Sequence, residues 1–187
     1  MEQAAPFKSS LYSIVGNKKI FEGRTTSAAI VDQHRGIPRF FDLKKMSAGL
    51  SGMTANVSSS AFAETYSGSL EASLQVTEQL GELLKATILD TKFTKVDDGD
   101  RFTPQLEKVA QLIKMSSALG TERAAFMTAL GGFDTHANLH ETMASKMKIL
   151  DKSIQSFVAE MRAQGIWDGV TVMTISDFGR TLTSEHP

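Results

Sequence analysis

The sequence predicts an α/β domain with a mostly parallel sheet flanked by helices and a β-rich N-terminal portion, on three observations. Two short apolar runs, Arg123–Leu130 and Val170–Ile175, have the character of buried strands. Between them Met143, Met147, Leu150, Ile154, Phe157, Val158 and Met161 recur at three- and four-residue steps, the signature of an amphipathic helix of about five turns. Gly165 follows as a C′ glycine would. A strand, a helix and a second strand in one sheet run parallel with a right-handed crossover. Residues from about Ala124 to Thr181 are therefore expected to form a β-α-β unit, with both strands in one sheet.

The elements before it follow in order. Residues 10–22 have the pattern of a hairpin, Leu11, Ser13 and Val15 alternating with Tyr12 and Ile14 before Gly16-Asn17 turns the chain into Lys18–Phe21. Ala28–Val31 and Arg39–Leu43 are expected as short strands, with His34-Arg35-Gly36 an exposed loop between them. Residues 44–68, rich in Ser, Gly and Ala, are expected to be a loose connection with a short helix. From Ser69 to Leu89, the spacing of Leu70, Leu74, Leu80, Leu84 and Ile88 predicts a helix. Asp97-Asp98-Gly99-Asp100 lacks the ligand ladder and closing Glu of a calcium loop, so a solvated turn is expected. Thr103-Pro104 then opens a second helix with the stripe Leu106, Val109, Ala110 and Ile113.

The bulk composition is that of an ordinary folded chain: 187 residues, 41% hydrophobic, 22% charged, net charge −1. Without a basic excess it offers no nucleic-acid surface. It has no apolar run of about 18 residues to span a membrane. The start, Met-Glu-Gln-Ala-Ala-Pro, has no basic and apolar leader pattern. With no cysteine, disulfides, thiolate metal ligands and cysteine nucleophiles are excluded.

Chemistry is expected where the strands of an open parallel sheet end, because ligands bind outside their carboxyl ends. Gly131-Gly132-Phe133-Asp134-Thr135-His136 and Ser176-Asp177-Phe178-Gly179-Arg180-Thr181 each follow one of the two predicted strands. Asp134 and His136 combine a hard oxygen with a borderline nitrogen, a pair suited to a divalent cation. His140, four residues on, could share a helix face with His136 and add a ligand. The competing reading makes Asp134 or Thr135 the N-cap of the following helix. Asp177 offers a further ligand or a base, and Arg180 an anion clamp for phosphate or sulfate. Against this stands a cap and salt-bridge role for both. In the functional reading Asp134 and Asp177 face one cleft, their carboxylates within roughly 10 Å.

These same residues carry a resemblance. Gly-Gly-Phe-Asp-Thr-His at 131–136, a helix, Gly165-Ile166-Trp167-Asp168-Gly169-Val170-Thr171-Val172 and Ser-Asp-Phe-Gly-Arg-Thr at 176–181 resemble the "domain of unknown function 1501" family. The likeness is strongest over residues 103–183 and loose over 1–102. It implies a single, incomplete alkaline phosphatase-like domain over residues 1–187, related to metal-dependent phosphate and sulfate ester hydrolases. It further implies a divalent metal (Zn, Mn, Mg or Ca) held by Asp134, His136 and Asp177, with Arg180 as the catalytic residue steadying the charge of a small anionic ester. His140 lies outside the family pattern. The strand with a Gly/Asp-rich loop that opens such proteins is not found before the Leu11 hairpin, nor is a downstream Asp-His-Gly segment, and no Ser or Thr nucleophile is assigned. The chain is thus expected to be inactive by itself, the alternative being a non-catalytic protein with a remnant metal site. Members of the family are often exported.

Overall fold

In a computed structural model, the structure describes residues 9–16, 20, 29–32, 60, 62–63, 65–66 and 80–179. Three strands, β1 (Ser9–Ser13), β2 (Ala29–Ile30) and β3 (Arg123–Met127), form one sheet in the order β2-β1-β3. Both pairings are parallel: Tyr12 lies opposite Ala29 on one side and Phe126 on the other. The sheet is therefore parallel as expected, but through different partners.

The central position of β1 corrects the hairpin. A strand has two edges, and those of β1 are taken by β2 and β3, so no returning strand can pair with it from a tight turn. The turn itself exists: Gly16 has φ +80, and the Ser13 hydroxyl donates to its carbonyl. It leads out of the sheet at the carboxyl end. As befits a central parallel strand, β1 is covered on both faces, with Tyr12, Ser13 and Ile14 all buried. Tyr12 stacks on its register partner Phe126, ring centroids 5.4 Å apart and planes 12° from parallel.

Among the described residues, two long helices stand on this frame. The first, α1 (Thr103–Lys114), starts at the predicted Thr-Pro pair and buries Leu106, Val109, Ala110 and Leu112. The second, α2 (Leu139–Ala163), is two turns longer than the apolar spacing implied, and packs on α1. It ends in a Schellman motif: the Gly165 N–H donates to Arg162, the Ile166 N–H to Met161, and Gly165 takes φ +71, where a side chain would be strained. One core unites Tyr12, Ile14 and Val31 of the sheet region with Leu80 and Leu84 from the helical stretch 80–86, and with Phe102, Leu106, Met115, Ile149, Phe157 and Met161.

The polar residues of the helical layer depart most from expectation. Asp100 is no solvated turn residue; its side chain is buried. It accepts from the backbone N–H of Val96 (3.0 Å), Phe102 (3.0 Å) and Thr103 (3.0 Å) and from the Thr103 hydroxyl (2.6 Å), so it caps α1 from outside. The Thr103 hydroxyl also meets Ser153 of α2 at 2.7 Å. Glu160, 0% exposed, accepts from the N–H of Asp90 and Thr91, the Thr91 hydroxyl and the Gln164 amide. It ties the segment after residues 80–86 to α2. Burial pushes both carboxyls up, and the donors outweigh it: the Thr103 hydroxyl with three N–H groups at Asp100, and Gln164 and Thr91 with two N–H groups at Glu160. Both end below the usual carboxylate range.

Three further expectations change. The buried face of α2 is Ile149, Ser153, Phe157, Glu160 and Met161, while Met147 is exposed, because two polar residues with partners occupy the packed face. Ile88 lies past the end of the 80–86 helix and is 81% exposed. The run at 170–175 forms no ladder: Val170 packs on the core, whereas Val172, Met173 and Ile175 are exposed. Apolar character alone does not make a strand, and among the described residues this run leaves the outer edge of β3 unused. Among the described residues β3 pairs with β1 alone. The expected β-α-β unit is thus a strand and a helix followed by an unpaired segment. Ala28–Val31 is borne out by β2; Arg39–Leu43, His34-Arg35-Gly36 and Lys18-Lys19 lie outside the described residues.

Candidate functional site

Parallel strands end on the same edge, and here that edge gathers three exits: Ile14–Gly16 after β1, Val31–Asp32 after β2, and the loop after β3. The Ile14 N–H donates to Met127 and the Val31 N–H to Ser13, which locks the exits together. Asp32 also stands on this edge; its signal was a carboxylate directly after an apolar strand.

The loop after β3 is held at its root by Gln105. The buried Gln105 side chain donates to the Ala129 carbonyl (3.0 Å) and accepts from the Ala129 N–H (2.8 Å), mimicking a strand partner two residues beyond β3. Gly132 has φ +85, which only glycine adopts without strain. The Thr135 N–H then donates to the Phe133 carbonyl at 3.0 Å, a three-residue γ-turn with Asp134 at its apex. After it the chain reaches Asn138, which is the N-cap of α2 and left-handed at φ 53. Asp134 and Thr135 are thus too early in the chain to cap the helix, and that reading is overturned.

The γ-turn brings Asp134 and His136 together, Oδ2 to Nε2 at 3.5 Å, with both side chains well exposed. That separation exceeds the usual 2.7–3.2 Å of a hydrogen bond. Two donors about 2.1 Å from one tetrahedral ion would lie about 3.4 Å apart, so the pair fits two positions of a metal's coordination shell. Among the described residues, however, no three His, Asp or Glu side chains form a group able to hold a metal. Asp177 is exposed and does not join Asp134 and His136 in such a group. His140 lies in the first turn of α2, whereas His136 precedes the helix, so the two share no helix face. Arg180 lies outside the described residues.

The fold defines the class as a small α/β protein with, among the described residues, a three-stranded parallel sheet. Within that class, the family model "Protein of unknown function (DUF1501)" matches residues 45–187, and the chain belongs to this family. The match begins well before the motifs, in the stretch where likeness was loose. No curated protein and no solved structure matches. Among the described residues no helix is long and apolar enough to cross a membrane.

Proposed function

We propose that the loop after β3 is the metal-binding edge of a protein related to the alkaline phosphatase and sulfatase-like hydrolases, acting on small phosphate or sulfate esters. The observation that supports it is the Asp134–His136 pair, spaced as two ligands of one ion and not as a hydrogen bond, at the carboxyl end of a parallel strand. Asp177 is the third ligand in this reading. A divalent ion there would polarise the ester and lower the pKa of a bound water. The chain's own parts in the reaction are separate: Asp134 and His136 hold, the γ-turn and Gln105 orient, and Arg180 steadies the ester's negative charge.

With two ligands assembled, the 187-residue chain should hold a metal and an ester without turning the ester over. The test incubates the purified chain with an aryl phosphate and an aryl sulfate, each with Zn²⁺, Mn²⁺, Mg²⁺ or Ca²⁺. Expected are hydrolysis no faster than the metal-only control, and ester retention that metal strengthens, a gain lost in Asp134→Ala. Turnover above the control that Asp134→Ala abolishes would show a complete catalytic set. Ester retention indifferent to metal would overturn the metal reading.

A further inference from the structure

Gly132 has an unexpected neighbour. A Cβ built on it would sit 2.8 Å from Lys146 Nζ and 2.9 Å from Lys146 Cε. The end of this lysine, which comes from the second turn of α2, therefore lies against the backbone of Gly132. The positive φ already demands glycine at 132; the lysine adds a use for the space a side chain would fill.

Lys146 shares a helix face with Met143 and Leu150, three residues before and four after it, and Leu150 packs against the core. Lys146 is half-buried, and its ammonium reaches Gly132. The two ion pairs among the described residues, Lys114–Asp90 and His136–Asp134, do not include it. Asp134 follows Gly132 by two residues, so their Cα atoms are at most about 7 Å apart. A cation is thus fixed beside a bare glycine backbone and next to the acid–imidazole pair.

We propose that the Lys146 ammonium is the anion-binding group of the Gly131–His136 loop, taking a tetrahedral oxyanion, phosphate or sulfate, at the open backbone of Gly131 beside it. A lysine does this as a compact point charge that needs no fixed fork geometry. Beside the ammonium, Gly131 has open space where a Cβ would stand, which lets the anion approach the main chain there. The proposal rests on the reading of this loop as an ester site and adds to it the residue that would receive the ester's charged head.

The test follows the amide signals of Gly131 and Gly132 by NMR while inorganic phosphate, and separately sulfate, is added to the full chain without metal. Wild type should show saturable shifts; Lys146→Arg should keep them, and Lys146→Met should weaken the apparent affinity at least tenfold. Thermal unfolding checks that each variant is folded, and Lys146→Gln stands in should the Met variant fail. No saturable shift in wild type, or equal affinity in the Met or Gln variant, overturns the proposal. Zinc titration separates it from the metal reading. Lys146-dependent phosphate binding without zinc affinity would remove the metal reading alone. Zinc bound through Asp134 and His136, with phosphate indifferent to Lys146, would remove this inference alone.

Discussion

The helical layer and the carboxyl-edge loop treat their polar residues in opposite ways. In the helical layer Asp100 and Glu160 are almost fully buried, and each accepts four hydrogen bonds from neighbouring donors. At the loop Asp134 and His136 are exposed and face each other across 3.5 Å, too far for a good hydrogen bond. A buried carboxylate must be satisfied within the fold or it destabilises it, so the first pair is committed to architecture. The second lies exposed at the carboxyl edge of the sheet, where its side chains contribute no core packing. Gln105 joins the two regions: it belongs to α1 yet fixes the first residues of the loop.

That contrast can be broken most forcefully at Glu160. Glu160→Ala strands two backbone N–H groups and the Thr91 hydroxyl, and should cost about 3 kcal/mol in urea unfolding. Its pH behaviour has a definite sign. Glu160 and Asp100 are held below the usual carboxylate range when folded, so the stability they supply is complete above the ordinary value of about 4. It is lost as the pH falls through their lower folded values. Urea midpoints followed from pH 6 downward should fall on this limb in wild type and fall less steeply in Glu160→Gln. An equally steep limb would remove Glu160 from the acid response.

A smaller effect, about 1–2 kcal/mol, is expected for Gln105→Ala, which frees both polar groups of Ala129. It sharpens the comparison because it should also weaken metal binding several-fold while touching neither Asp134 nor His136. A loss of stability with metal affinity unchanged would mean that the loop orders itself without α1.

Smallest of all, Asp134→Ala and His136→Ala should each change stability by no more than about 0.5 kcal/mol, as exposed positions do. A cost near that of Glu160→Ala would make the pair structural.

Much of this division was legible in the chain, and the failures have a common cause. Apolar spacing located the core positions Leu80, Leu84, Leu106, Val109, Phe157 and Met161, and the strand–loop order found Gly131–His136. Periodicity, though, treats every polar residue as facing solvent. It therefore put Asp100 in a solvated turn and left Ser153 and Glu160 off the packed face of α2. Strand pairing was the other blind spot. The partner of β1 in β3 lies more than a hundred residues away, whereas Gly16-Asn17 offers a local turn, and local alternation alone favours the hairpin. The same limit accounts for 170–175, whose apolar residues look like a strand's but say nothing of an edge to receive them.

The proposal that Asp134 and His136 bind a divalent metal at the β3 loop is tested most directly by calorimetric titration with Zn²⁺ near pH 7.5. Wild type, His136→Ala and His140→Ala are titrated side by side. The account predicts that His136→Ala loses at least tenfold in affinity while His140→Ala, altered on the first turn of α2, matches wild type. Equal affinity in all three, or a loss with His140→Ala in place of His136→Ala, would contradict it.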